Sequence, residues 1–219
     1  MVGYDSIRTN SDIRAYIVGA DESLKALGFT EHSFAHVTKV AETAAYILTE
    51  LGYDEHTAEL AKIAGFLHDI GNLVNRVDHS QSGAIIAFRI LDKLGMPAED
   101  IAPIVSAIGN HDEGNGVAVS PMAAALIIAD KCDVRRSRVR NSDLSTFDIH
   151  DRVNYSVEHS ELSLNRDRRS VDLTLKVDSS ISAVMDYFEI FLGRMIMCRK
   201  AAAALDLSFT LTVNGQKLL

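Results

Sequence analysis

Residues 64–72 place a histidine and an aspartate side by side at the end of an apolar helical pattern. Apolar side chains recur at three- and four-residue steps up to Leu67, and His68 and Asp69 follow directly. Burying an imidazole and a carboxylate costs free energy unless each finds a partner, and a metal ion bound by both is one such partner. A hydrogen-bonded His–Asp pair at a helix end is the alternative, and the rest of the chain bears on the choice.

The apolar periodicity predicts six helices in the first 135 residues. Capping signals mark their ends: Gly28, Gly52 and Gly95 follow three of the apolar runs, and Ser120 and Pro121 provide an N-cap and a proline at the first helical position. The predicted helices cover residues 11–27, 30–51, 54–69, 82–94, 97–109 and 121–134.

Beyond about residue 147 the pattern changes to alternation, which is typical of half-buried strands. Residues 171–177 alternate apolar and polar side chains, residues 161–165 form the other arm of a hairpin, and residues 209–213 alternate again. Helical spacing covers residues 180–204 between them. The prediction is therefore a mostly α protein: a helical bundle at residues 1–145, and an appendage at residues 146–219 in which one long helix covers a small three-stranded antiparallel β-sheet.

Composition excludes several classes of protein. The formal net charge of −8 and the isoelectric point near 5.4 argue against binding of bulk nucleic acid, because no net positive field attracts phosphates. Cys132 and Cys198 lack CxxC spacing, which argues against a disulfide framework and a thiolate zinc site. The N-terminus lacks a signal-peptide pattern, and no stretch of eighteen uncharged apolar residues occurs. We therefore expect a cytoplasmic protein with no membrane partner.

Six histidines and aspartates at helices or helix ends are candidate metal ligands. They offer only imidazole nitrogen and carboxylate oxygen, the donors that suit iron, manganese, cobalt, nickel or zinc. Six donors exceed what one ion with open positions needs, and they suit two ions that share a carboxylate. The candidate ligands are His36, His68, Asp69, His79, His111 and Asp130.

In this order the six residues form an H…HD…H…H…D pattern over roughly residues 30–135, which resembles the binuclear branch of the HD-domain metal-dependent phosphohydrolases. The resemblance implies an HD-domain-like helical bundle and two divalent ions, with iron or manganese favoured and zinc, nickel, cobalt or magnesium as alternatives. It also implies catalytic roles for His68 and Asp69. By the same resemblance one ion is held by His36, His68, Asp69 and Asp130, and the second by Asp69, His79 and His111.

The function predicted on this basis is metal-dependent hydrolysis of a phosphate ester or anhydride in a small, nucleotide-like substrate by a metal-activated hydroxide. The enzyme is a phosphomonoesterase or a phosphodiesterase. Polar residues close to the ligands in sequence are candidates for binding the substrate, since guanidinium and ammonium groups suit phosphate. These residues are Asn72, Arg76, Lys131 and Arg135.

Two departures from the family pattern keep other functions open. Asn72 stands where many phosphodiesterase members have the lysine of HDxGK, and the GYP signature of the cyclic-dinucleotide enzymes is absent. The alternatives are a di-iron oxygenase of the same superfamily, or a non-catalytic, metal-stabilised ligand-binding or regulatory module. The helix at residues 180–204 is rich in methionine and phenylalanine, and this composition also predicts a homodimer.

Overall fold

Nine α-helices and four β-strands lie within residues 2–219, the part of the chain that this computed structural model describes. Seven helices come first, an eighth leads into the first two strands, and the ninth separates these from the last two. Short 3₁₀ turns occupy Ile70–Leu73, Arg136–Arg138 and Leu144–Thr146. The helices are α1 (Tyr4–Thr9), α2 (Ser11–Ala26), α3 (Phe34–Glu50), α4 (Glu55–Leu67), α5 (His79–Lys93), α6 (Ala98–Gly109), α7 (Pro121–Lys131), α8 (Ile149–Ser156) and α9 (Val184–Ala204). The strands are β1 (Val157–Asn165), β2 (Ser170–Val177), β3 (Ser208–Val213) and β4 (Gln216–Lys217).

Helix α7 is the centre of the helical part. Every residue from Met122 to Ala129 is buried, so the helix is apolar all round, as a helix enclosed by its neighbours must be. Helices α3, α4 and α6 of the bundle pack against it, and α9 packs against it from the C-terminal part. Because α7 ends at Lys131, Asp130 lies where this apolar centre meets the polar helix ends.

The predicted helices are confirmed, with shifts at two starts that bear on the site. Helix α3 begins at Phe34 rather than near residue 30, because the Ser33 hydroxyl accepts a hydrogen bond from the Ala35 amide and caps the helix there. Helix α5 begins at His79, three residues earlier than predicted. Helices α1 and α8 were not predicted.

The C-terminal sheet is mixed and four-stranded, so the prediction of an antiparallel, three-stranded sheet was wrong in direction and number. Strand β1 pairs antiparallel with β2, and β3 antiparallel with β4. Strands β2 and β3 are parallel, with Leu173 opposite Leu211. The reason is helix α9, whose 21 residues carry the chain from one end of the sheet back to the other. A crossover of this kind makes the next strand run in the same direction.

Helix α9 joins the sheet to the helical bundle. Its inner face buries Phe191 and Met195, and Cys198 lies with its Sγ 3.8 Å from the Sγ of Cys132, just after α7. The mostly helical fold with a small C-terminal sheet and a long helix is as predicted, while the division of the chain at residue 145 stays a prediction. None of the helices in the described part of the chain combines the length and apolar character needed to span a bilayer.

Candidate metal centre

The six predicted donors lie at the ends of five helices that meet at one point. Asp69 follows His68, the C-cap of α4, and the 3₁₀ turn that comes next packs against α5. Four of the six are histidines with 2% exposure or less, and the two aspartates are largely buried. The positions are His36 in the first turn of α3, His68 and Asp69 at the end of α4, His79 at the start of α5, His111 just after α6, and Asp130 in the last turn of α7.

One group of donors surrounds Asp130. The Nε2 atoms of His36 and His68 lie 3.3 and 3.6 Å from Asp130 Oδ1. The same two nitrogens lie 3.5 and 3.2 Å from Asp69 Oδ2. Both nitrogens are buried and have no hydrogen-bond partner within residues 2–219. A buried imidazole nitrogen without a partner is costly, so a cation placed between these nitrogens and carboxylates would satisfy all of them.

A second group lies on the other oxygen of Asp69. Asp69 Oδ1 is 3.4 Å from His79 Nε2 and 3.9 Å from His111 Nε2. The two Nε2 atoms are only 3.2 Å apart. Two unprotonated nitrogens at this distance repel each other unless a proton or a cation lies between them. The two oxygens of one carboxylate therefore face two separate pairs of imidazoles, which is the arrangement that a bridging ligand needs.

Hydrogen bonds at Nδ1 fix the orientation of all four imidazoles. Because a carbonyl oxygen can only accept, an Nδ1 facing one carries the proton, and the lone pair is left on Nε2. Three of the four face backbone carbonyls and the fourth faces a buried carboxylate. The Nδ1 distances are 2.7 Å for His68 to Gly65 O, 3.1 Å for His79 to Arg76 O, 2.7 Å for His111 to Ile108 O, and 2.8 Å for His36 to Asp133 Oδ2.

The charges at the centre also favour a cation. Burial lowers the pKa of His111 to about 3, assisted by the positive charges of His68 and Lys131, and burial likewise lowers the pKa of His79. Both imidazoles are therefore neutral near pH 7, the form that binds metals. Burial acts in the same direction on His68, but Asp69 and Asp130 outweigh it and raise its pKa to about 10. The two carboxylates thus create a strongly negative potential.

Basic side chains surround the carboxylate end of the centre. A cavity of about 10 Å³, about the size of one water, lies there. Lys131 Nζ is 2.7 Å from Asp130 Oδ2, and Arg76 Nη1 is 3.3 Å from His79 Nε2. Both residues were predicted to bind substrate. The cavity is lined by His32, Asp69, Arg76, His79, Asp130, Lys131, Arg138 and Arg194.

The other two predicted substrate residues have different surroundings. Asn72 is 2% exposed, and its Nδ2 donates to Asp69 Oδ1 at 3.0 Å and to the Asp69 carbonyl at 2.9 Å. It therefore orients the Asp69 carboxylate. Arg135 does not line the cavity, because its Nε donates to Asp133 Oδ1 at 3.0 Å and its Nη2 pairs with Glu31.

Sequence reasoning missed four residues of the site. Asp133 was not among the predicted residues, although it is 1% exposed and orients His36. Its spacing of three residues from Asp130, one helical turn, was the available signal. His32 was not predicted either, and it lines the cavity with Arg138 and Arg194. Arg194 had no sequence signal, because α9 reaches the centre only through tertiary packing.

Comparison with known proteins identifies a known domain in the part of the chain that holds the centre. Residues 33–135 match the family model described as HD domain. Ribonuclease Y of Enterococcus faecalis is 28% identical over 154 residues, which are 65% of this chain and 28% of that protein. Ribonuclease Y of Campylobacter concisus is 32% identical over 122 residues, 54% of this chain and 21% of that protein. The chain thus spans less than a third of the length of these curated relatives.

Two further proteins match a larger share of their own length. An uncharacterised protein of Methanocaldococcus jannaschii is 24% identical over 183 residues, 73% of this chain and 70% of that protein. The crystal structure of a predicted HD superfamily hydrolase from an uncultured Thermotogales bacterium is 26% identical, with a TM-score of 0.45, and the match covers 60% of this chain and 73% of that one.

The family model and the donor geometry cover the same stretch of chain. All six donors, from His36 to Asp130, lie inside the matched residues 33–135. The resemblance found in the sequence is confirmed for this stretch: residues 33–135 of the chain match the HD domain.

Proposed function

We propose that this protein hydrolyses a phosphate ester or anhydride of a small, nucleotide-like substrate with the help of two divalent metal ions. In this proposal Asp69 is the shared ligand, and the ions are iron or manganese. The first ion is held by His36, His68, Asp69 and Asp130, and the second by Asp69, His79 and His111.

The observation that carries the proposal is the two-sided environment of Asp69. One oxygen lies 3.2 Å from His68 Nε2 and the other 3.4 Å from His79 Nε2. The Nδ1 atoms of both histidines donate to backbone carbonyls, so the Nε2 atoms of both rings face the carboxylate. Two ions held in this way would polarise the phosphate ester and lower the pKa of bound water to about 7, so that hydroxide would be available at neutral pH.

The residues around the donors support hydrolysis of phosphate compounds. Asn72 donates to Asp69 Oδ1 and so holds the shared carboxylate in one orientation. Lys131 compensates the charge of Asp130 at 2.7 Å, and Arg76 lies at the edge of the cavity with its guanidinium near His79. The Arg76 guanidinium at this edge would bind the oxygens of the reacting phosphate and offset the charge that develops on them.

A small substrate fits the charges of the chain better than a polymer does. The net charge of −8 provides no general attraction for a nucleic-acid backbone, so the basic groups at the cavity would act locally. The relatives named ribonuclease Y make a phosphodiester a second test compound beside phosphomonoesters. A short oligoribonucleotide therefore belongs in the assay panel.

The test combines metal content with hydrolysis. Protein loaded with Mn²⁺ or Fe²⁺ is analysed for metal per chain and assayed with nucleoside monophosphates, p-nitrophenyl phosphate, bis-p-nitrophenyl phosphate and the oligoribonucleotide. We expect two ions per chain and hydrolysis of at least one compound. Asp69→Asn should reduce the number of ions per chain. It should also lower the rate of hydrolysis by more than the about 10- to 100-fold loss that is typical when a residue outside the ligand set is changed.

Asp167→Asn is the matched control, because Asp167 is exposed in the turn between β1 and β2, far from the centre in sequence. It should keep wild-type metal content and activity. Full activity and metal content in Asp69→Asn, or no hydrolysis of any compound by fully loaded wild-type protein, would refute the proposal.

A further inference from the structure

A second cluster of charges lies beside the metal centre and joins three parts of the chain. Lys131 ends α7, Glu113 lies in the loop between α6 and α7, and Arg194 lies on α9. Glu113 Oε1 is 2.8 Å from Arg194 Nε and 3.4 Å from Lys131 Nζ, so one carboxylate oxygen contacts both cations. Lys131 and Arg194 both line the cavity that also exposes Asp69 and Asp130.

We propose that Lys131 and Arg194 form a subsite for a phosphate group of the substrate that is not itself hydrolysed, and that Glu113 competes for the same donors. The inference rests on the proposed phosphohydrolase function and deepens it. It assigns the substrate to compounds with at least two phosphate groups, such as a nucleoside diphosphate.

The donors suit a phosphate group. Lys131 is 5% exposed at its side chain and already holds two oxygens, Asp130 Oδ2 at 2.7 Å and Glu113 Oε1. The Arg194 guanidinium lies 4.7 Å above the ring of Phe191, which restrains it. Within residues 2–219 its terminal nitrogens have no ion-pair partner, so they are available to donate to further oxygens.

The position of Asp130 explains why this phosphate would not be the reacting one. Asp130 Oδ1 faces His36 and His68, while Asp130 Oδ2 faces Lys131. A group bound between Lys131 and Arg194 therefore lies one carboxylate away from the six metal donors. A neighbouring phosphate of the same substrate could then reach the metal centre.

Glu113 can leave the two cations at low cost. Its side chain is 28% exposed, and it lies in a loop rather than in a helix. The pair with Arg194 is partly exposed on both sides, and Lys131 keeps Asp130 Oδ2 at 2.7 Å as a partner, so movement of the carboxylate into water leaves no buried charge uncompensated. A phosphate offers more oxygens and more negative charge than the carboxylate, and would displace it.

Arg194 also lies outside residues 33–135, so the C-terminal part of the chain would set the preference for a second phosphate group.

The experiment compares Arg194→Gln and Glu113→Gln with Arg199→Gln, an exposed position on the same helix. Kinetics are measured on Mn²⁺-loaded protein with a nucleoside diphosphate and with p-nitrophenyl phosphate, which has one phosphate only. Arg194→Gln should raise KM for the diphosphate about tenfold and leave kcat unchanged, because a contact to a non-reacting group contributes equally before and during the reaction. KM for p-nitrophenyl phosphate should not change. Glu113→Gln should lower the diphosphate KM several-fold.

A calorimetric titration of each variant with inorganic phosphate gives a second readout that needs no turnover. Phosphate should bind more weakly to Arg194→Gln and more tightly to Glu113→Gln than to Arg199→Gln. Arg194→Lys, which keeps the charge, serves if the glutamine variant does not fold, and should bind with intermediate affinity.

The outcomes separate this inference from the proposed function. If wild-type protein hydrolyses no compound, the proposed function fails, and the phosphate titration still tests the subsite. If hydrolysis occurs but Arg194→Gln and Glu113→Gln match Arg199→Gln in KM and in phosphate affinity, the subsite is wrong. A fall in thermal stability without either change would assign Glu113 a structural role and overturn the inference.

Discussion

Gly65 is where the backbones of α3 and α4 come very close, and Gly65→Ala tests whether this contact positions the metal centre. A Cβ at residue 65 would lie 2.6 Å from the Cα and 2.8 Å from the amide nitrogen of Ala41. Ordinary contacts begin near 3.4 Å, so the shortfall is about 0.8 Å. Because the obstructing atoms are helix backbone, the two helices would have to separate. Helix α3 carries His36 and α4 leads directly into His68, so the two imidazoles would separate too.

The expected loss of stability follows from two opposing effects. Alanine is favoured over glycine in a helix interior by about 1 kcal/mol. Overpacking a rigid contact costs up to about 3 kcal/mol, and a backbone-to-backbone overlap belongs at the upper end of that range. The net loss is about 2 kcal/mol, which for a chain of this length lowers Tm by about 4–8 °C. Thermal unfolding, monitored by circular dichroism in the presence of a chelator, measures this loss of stability. A titration with Mn²⁺ measures how strongly the displaced donors bind the ion.

Gly193→Ala is the matched control within α9. A Cβ at residue 193 would meet nothing within 4 Å, so only the helix preference acts, and the variant should gain up to about 1 kcal/mol. Mn²⁺ affinity should be that of the wild type. If Gly65→Ala unfolds at or above the wild-type temperature and binds Mn²⁺ normally, the close approach of α3 and α4 does not position the centre.

Two further predictions concern carboxylates that act through a histidine. Asp133→Asn removes the charged acceptor of His36 Nδ1 and should weaken metal binding about 10- to 100-fold in a competition titration, whereas unchanged affinity would exclude this orienting role. His56 donates to Asp100 across 2.7 Å, and this hydrogen bond with the carboxylate charge raises the pKa of the imidazole. The pair therefore stabilises the fold fully below the pKa of an unfolded histidine, about 6.5, and the contribution is lost as pH rises through the folded value. Asp100→Asn should lower the His56 pKa in an NMR titration; an identical titration curve would contradict the assignment.

The donors of the centre were predictable because each conflicts with its local pattern. His68, Asp69 and Asp130 lie at the ends of apolar helices, where a polar side chain is costly unless something binds it. The start of α5 was less predictable. Asp78 precedes it with a φ of 55°, a left-handed conformation, and its side chain makes no capping hydrogen bond. The local signals for a helix start were therefore missing, and His79 was expected outside the helix that holds it.

Features set by distant segments left no local trace. Apolar and polar residues alternate in the same way in parallel and antiparallel strands, so the direction of β3 beside β2 depends on the path of α9 and not on the sequence of either strand. Arg194 reaches the cavity by the same path. Its neighbours on α9 predict only an amphipathic helix, and no spacing relates it to Lys131.

The charges around the centre alternate in sign with distance from the donors, which explains how an acidic protein can be suited to an anionic substrate. The innermost charges are the carboxylates of Asp69 and Asp130, which would bind cations. Lys131 and Arg194 come next, and Glu113 lies outside them. The net charge of −8 governs the interaction of the protein with an anion at long range. Salt screens this interaction beyond roughly 8–10 Å. Inside that distance Lys131 and Arg194 act directly on the groups that they contact, so selection of the substrate should depend on contacts at the cavity and little on the overall charge of the chain.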